Sequence, residues 1–171
     1  GLGSASLVCD NDVTIGALVA ANPMGSVHCP TSIRFWGGHA EINGEYGGLG
    51  VAPHHDPLAV TTKHHPHQNS NTVIGIIATD LALDKASLTR LATAAHDGIA
   101  RAVQPSHTPL DGDLIFAVST GQHQRPCDGY DLAMLGHAAA LCMTRAICRG
   151  VWHADAAAND SLPIMRDLVK Q

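Results

Sequence analysis

The abrupt junction at residues 69–72 constrains this chain more than any other feature. A polar stretch, Asn69-Ser70-Asn71, meets an apolar, β-branched run, TVIGIIA, at Thr72. A continuous run of this kind reads as a strand buried on both faces. A hydroxyl residue therefore stands where a flexible approach becomes a rigid element. If the Asn71–Thr72 bond were cut, Thr72 would lead the strand with its free α-amine beside its own Oγ. An α-amine ordinarily titrates at about 7.7–8.0 and serves as a base near neutral pH. A threonine hydroxyl needs such a neighbour to become a nucleophile. The plainer reading is a β-branched residue that simply opens a strand.

The flanking sequence supplies the rest of a domain. Ser4–Val8 and Val13–Ala21 read as a hairpin turned at Asn11-Asp12, and Asn22-Pro23-Met24-Gly25 ends it with strong breakers. Asp84 is placed as an N-cap. After it Leu88, Leu91, Ala92, Ala95, Ile99, Ala102 and Val103 recur at helical spacing until Pro105. LIFAV, residues 114–118, reads as another buried strand closed by Gly121, expected to lie beside the Thr72 strand. A second helix is expected from about Gly129 to Arg149, then a tail with Pro163 that wraps the surface. Strands flanked by long apolar helices imply a layered α/β domain. Residues 37–71 hold glycine, proline and histidine without a sustained period, and are expected to form a long, mobile surface connection.

Composition limits the partners. The 171 residues allow one domain with a real core. Aromatic residues are only 4%, so Ala, Val, Leu and Ile must fill it. The net charge is −5 with no basic block, which argues against nucleic acid or an anionic membrane. No apolar run reaches the roughly 18–20 residues that cross a bilayer. No signal-peptide pattern precedes the first strand, and the start at Gly1 is expected of a protein cut into partway. Cys9, Cys29, Cys127, Cys142 and Cys148 are odd in number and form no CxxC pair. They read as reduced thiols of a cytoplasmic protein rather than zinc ligands.

Two further motifs could serve a nucleophile at Thr72. In Asp111-Gly112-Asp113, carboxylates at i and i+2 could orient a hydroxyl or hold a new ammonium, or could simply make a turn. Asn22, at a strand end, could donate to a developing oxyanion or sit in an Asn turn. His54, His55, His64, His65 and His67 cluster in the long connection, but no ligand ladder such as HExxH supports a metal site. His107 lies close to Asp111 in sequence and could approach the site or face solvent.

The stretch NTVIGIIATDLALDKASLTRLATAAHDGIARAVQPSHTPLDGDLIFAVSTG resembles the L-aminopeptidase D-amidase/D-esterase family, which includes the nylon-oligomer hydrolases (endo-type 6-aminohexanoate oligomer hydrolases). GLGSASLV, VTIGALVAANPMGSV and the final LPIMRDL resemble the same family in order and spacing. The resemblance implies an α-β-β-α sandwich of the N-terminal-nucleophile type. It implies autocleavage at Asn71–Thr72, with residues 1–71 ending a larger subunit and residues 72–171 forming a smaller one. Thr72 would be the nucleophile, Asn22 the oxyanion support, and Asp111 and Asp113 the pair that orients the nucleophile. Ser119-Thr120-Gly121 would line the pocket. Thr at the junction and DGD resemble the nylon-oligomer hydrolase branch. The implied substrate is a small peptide or amide, with no cofactor and no metal, and the implied assembly is a homo-oligomer of processed heterodimers. Family groups that lie before the GLGSAS-like segment, among them a lysine and a tyrosine, fall outside this chain. A self-cleaving acetyltransferase of arginine synthesis and a non-catalytic His-rich metal-binding protein remain the alternatives.

Overall fold

The computed structural model describes residues 1–63, 71–158 and 163–170. Strands β1 (Leu2–Val8) and β2 (Thr14–Asn22) form the expected antiparallel hairpin. Strand β3 (Thr72–Leu81) pairs antiparallel with β2, and β4 (Leu114–His123) pairs parallel with β3, giving the sheet order β1-β2-β3-β4. Parallel neighbours need a crossover, and helix α1 (Lys85–Ala102) supplies it. Its N-cap is Asp84, which accepts the Ser87 N–H at 2.7 Å. Helix α2 (Gly129–Trp152) starts in a capping box made by Asp128 and Asp131. A short helix, α3 (Met165–Leu168), closes the tail and buries Met165, so the tail joins the core rather than only wrapping the surface.

The two helices pack on each other and on one face of the sheet. Leu91, Ala95, Ile99 and Ala102 of α1 share one core with Ala139, Met143, Ala146 and Ile147 of α2. Gly98 permits the close helix approach: a Cβ there would lie 2.4 Å from the Ala140 carbonyl oxygen. Ile15, Val19, Val73, Ile77 and Leu81 rise from the sheet into this layer and are essentially inaccessible. Each large apolar side chain so buried contributes about 1.5–3 kcal/mol. Small aliphatic residues do most of the filling, as the low aromatic content requires.

The other face of the sheet is open. Ile74 is 50% exposed, Leu114 45%, Phe116 56% and Val118 40%. The expectation that the Thr72 strand is covered on both faces, and that LIFAV is buried, is therefore corrected. These strands alternate between a covered and an uncovered side, and both sides are apolar. Continuous hydrophobicity reported an apolar surface on each face without saying what lies against it. Of an α-β-β-α sandwich, the chain forms one helix layer and one sheet layer.

The connection from β2 to β3 also departs from expectation. Its first part is anchored. A 3-10 turn at Trp36–Ala40 is largely buried, and Tyr46 is 1% exposed with its hydroxyl donating to the Gly37 carbonyl at 2.8 Å. The Phe35 ring meets Tyr46 and Trp152 edge-on. Glu45 accepts from Arg145 at 2.5 Å and from Arg149 at 2.9 Å.

Candidate active site

The sheet pairings bring the sequence candidates to one edge of the molecule. Asn22 ends β2 directly opposite Thr72, which begins β3. A parallel bridge, Asn71 with Asp111, extends the β3–β4 pairing beyond the strands themselves. Thr72, Asn71, Asn22, Asp111 and Asp113 therefore converge, although 49 positions separate Asn22 from Asn71 in sequence.

The junction carbonyl lies at the centre. The Thr72 hydroxyl donates to the Asn71 carbonyl oxygen at 2.6 Å. The Gly112 backbone N–H donates to the same oxygen at 3.0 Å. Gly112 also lies against the hydroxyl: a Cβ at this position would stand 3.0 Å from Thr72 Oγ1. The middle residue of Asp111-Gly112-Asp113 thus has two uses. Its lack of a side chain leaves room for the hydroxyl, and its amide polarises the carbonyl of the Asn71–Thr72 bond.

The two carboxylates are held differently. Asp111 Oδ1 accepts the Met24 N–H at 2.9 Å. Its Oδ2 accepts the Thr108 hydroxyl at 2.7 Å and the Thr108 N–H at 3.1 Å. Asp111 thereby closes its own turn and ties it to the end of β2. Asp113 Oδ1 accepts the Val73 N–H at 3.0 Å, one residue past the junction. Its Oδ2 pairs with His107 Nδ1 at 2.8 Å, and the Asp113 side chain is only 5% exposed. His107 holds φ +52°, a region that non-glycine residues occupy seldom. Its ring also lies 5.2 Å from that of His96. Burial, with His107 adding to it, pushes the His96 imidazole below its ordinary value.

Sequence reasoning passed over Lys63. Its ammonium donates to Asn22 Oδ1 at 2.7 Å, and its backbone N–H donates to the Met24 carbonyl at 2.9 Å. Burial pushes the Lys63 pKa down, while Asp111 pulls it back up. The available signal was that Lys63 is the only lysine ahead of the junction. Gly112 stands in the sequence only as the residue between two carboxylates, because a backbone donor leaves no compositional trace. Ser119 lies within β4, which runs on past Gly121, and its hydroxyl donates at 2.6 Å to the carbonyl of Leu81, the last residue of β3.

Among the described residues, no group of three His, Cys, Asp or Glu side chains could hold a metal ion. His64, His65, His67, Asn69 and Ser70 lie outside the described residues. The five cysteines are free, and burial raises the Cys142 thiol to about 12. No described helix is long and apolar enough to cross a membrane. A groove of about 460 Å³ between α1 and α2, flanked by Arg90, Asp97, Arg101 and His137, includes none of the junction residues.

The layered α/β architecture places the chain in a class, the N-terminal-nucleophile hydrolase fold. A solved structure of the L-aminopeptidase D-Ala-esterase/amidase from Ochrobactrum anthropi, described as a variant of that fold, overlays with a TM-score of 0.55 at 21% identity. It covers 94% of this chain and 42% of that one. The model of peptidase family S58 matches residues 1–161, and the chain belongs to that family. An uncharacterized aminopeptidase of Mycobacterium tuberculosis is 37% identical over 182 residues, covering 98% of this chain and 52% of the relative. A 6-aminohexanoate-oligomer endohydrolase of Kocuria sp. is 32% identical over 120 residues, covering 67% of this chain and 32% of the relative. The chain thus spans about half the length of the first of these curated relatives.

Proposed function

We propose that this chain carries the self-cleaving centre of an amide hydrolase whose nucleophile is Thr72. The observation that carries the reading is the junction carbonyl, held at once by the Thr72 hydroxyl and the Gly112 N–H. In the first reaction Thr72 Oγ attacks the Asn71 carbonyl carbon. The negative charge gathers on the carbonyl oxygen, where Gly112 already donates and where the Asn22 carboxamide supplies further support. One such donor is worth about 2.7–4 kcal/mol in the transition state. The C–N bond breaks, the nitrogen takes a proton, and Asn71 is left as an ester on Thr72. Water then hydrolyses the ester, releasing the Asn71 carboxylate and restoring the Thr72 hydroxyl beside the α-amine that the acyl shift has already freed.

In the second reaction the same oxygen attacks a substrate amide, with the Thr72 α-amine as general base. Asp113 positions this end of β3 through the Val73 N–H and receives the new ammonium. Asp111 fixes the turn that aims Gly112. Residues 1–71 end the larger subunit and residues 72–171 form the smaller one. The substrate is a small peptide or amide, and the threonine junction with DGD favours nylon-type 6-aminohexanoate oligomers. No cofactor or metal enters either reaction. We place the protein in the cytoplasm, consistent with five free cysteines. The open apolar face of the sheet takes the second sheet of the sandwich. Exposed Tyr130 and Met134 on α2 suit the contacts of a homo-oligomer of processed heterodimers.

Intact-mass analysis with N-terminal sequencing of the full-length protein tests the reading. Two pieces are expected, the smaller beginning at Thr72, together with hydrolysis of amino-acid amides or 6-aminohexanoate oligomers. A stable single chain with full activity would overturn it.

A further inference from the structure

We propose that Lys63 is a positioning residue for chain cleavage: its ammonium fixes which end of the Asn22 carboxamide faces the junction. The inference rests on the oxyanion role proposed for Asn22. A carboxamide is nearly symmetric in shape, and its oxygen and NH2 ends can exchange places by a flip. Only one orientation presents N–H donors to a developing oxyanion. A lysine ammonium carries donors and no acceptor, so the atom it touches must be the oxygen. The 2.7 Å contact from Lys63 Nζ to Asn22 Oδ1 therefore sets the sense of the amide. A cation on the oxygen also polarises the amide and strengthens its N–H groups as donors.

The lysine is itself well placed. Thr62 bridges Gly25 in antiparallel fashion, and the Lys63 N–H reaches the Met24 carbonyl at 2.9 Å. Met24 is held from the other side by Asp111 at 2.9 Å. Gly25 lies against the Gln104–Pro105 backbone so closely that a Cβ would stand 2.1 Å from the Pro105 carbonyl oxygen. The Lys63 backbone thus pairs with a segment secured on two sides. Lys63 belongs to the part of the chain ahead of the cut. It therefore acts on the uncleaved precursor, where Asn22, opposite Thr72, is needed first.

The test is the cleavage rate of the full-length precursor, pulse-labelled in cell-free translation and followed by the appearance of the smaller fragment. Lys63→Met keeps the length and removes the donor, and is expected to cleave roughly ten- to hundredfold more slowly, as for loss of a charged hydrogen bond. Lys63→Arg keeps a donor and should stay within several-fold of the native rate. In a Thr72→Ala background, Lys63→Met should leave the melting temperature unchanged. Asn22→Ala should be slow alone, and adding Lys63→Met should slow it no further. Native-rate cleavage by Lys63→Met beside a slow Asn22→Ala would overturn the role of Lys63 and leave that of Asn22 intact. A native rate for Asn22→Ala would overturn the Asn22 reading itself. An equal loss in the Met and Arg variants, a fall in melting temperature, or additive effects with Asn22→Ala would reduce Lys63 to a structural tie.

Discussion

The two parts of the connection between β2 and β3 both lack an apolar period and have opposite fates. Residues 36–48 and 51–63 are both short of apolar periodicity, and both contain glycine or proline with histidine. The first part is pinned to α2 through the Glu45–Arg145–Arg149 cluster and the close approach of Gly37 to Thr144 and Cys148. The second leaves Val51, Leu58 and Val60 exposed, and pairs with the fold at Thr62 and Lys63 beside the junction. One part ties into the core and the other meets the fold next to Asn22 and Met24. A few anchors decide the difference: one acid that meets two arginines, and one tyrosine with a carbonyl to receive its hydroxyl.

The largest expected effect separates chemistry from stability most sharply. Thr72→Ala should abolish chain cleavage, because no hydroxyl remains to attack. Its melting temperature should match that of an uncleaved native precursor within about 0.5 kcal/mol of stability, since one small, half-buried side chain is exchanged for another. Mass spectrometry and calorimetry on the same sample check both halves. Residual cleavage at Asn71 would break the division between the two parts.

Glu45→Ala should produce the reverse pattern. It leaves Arg145, only 7% exposed, without its acid. Removing one partner of a buried pair costs about 3–5 kcal/mol; Arg145 keeps a hydrogen bond to the Ser6 carbonyl at 2.8 Å, so the low end is expected. Denaturant unfolding measures the loss. Molecules that remain folded should cleave at the native rate, because this clamp does not touch the junction.

Asp113→Asn and Asp111→Asn sharpen the comparison inside the site. Asp113→Asn should hold stability and slow processing or turnover by roughly 10²–10⁴, the range for positioned acid–base groups. Asp111→Asn turns an amide NH2 toward either the Met24 or the Thr108 donor. It should cost about 1–3 kcal/mol of stability, with a smaller loss of rate that follows from the displaced turn. Melting temperatures and 6-aminohexanoate oligomer rates for both variants decide this. Equal, negligible rate effects would return both carboxylates to the turn.

Legibility from sequence followed the kind of signal each feature carries. The hairpin, both helices and the Thr72 and LIFAV strands were readable because apolar period and breakers are local. The convergence of Asn22, Thr72 and the DGD turn came from resemblance, since pairings across 49 residues leave no local trace. The open sheet face was misread because TVIGIIA and LIFAV are apolar whether or not something covers them. Gly112 and Lys63 were missed for separate reasons. A backbone N–H has no residue type, and a single lysine in a polar loop looks like any solvated charge.

Acidity gives the smallest and most specific separation of the two parts. Burial alone would push the Glu45 carboxyl up, but hydrogen bonds from Arg145 and Arg149 outweigh it and hold the group below its ordinary value of 4.5. A carboxyl whose folded pKa is depressed binds protons more weakly folded than unfolded. Its stabilisation is therefore complete above 4.5 and fades as pH falls below that value, through the depressed folded one. Glu45→Gln carries no titrating group and lacks this dependence. Between pH 7 and pH 5 the native chain should melt above Glu45→Gln by a constant margin, and below about pH 4.5 the margin should shrink. The Thr72→Ala background keeps cleavage from altering the comparison. A margin unchanged down to pH 3 would mean that the carboxylate charge contributes nothing to the clamp, and that the aromatic contacts of Tyr46 with Phe35 hold residues 36–48 alone.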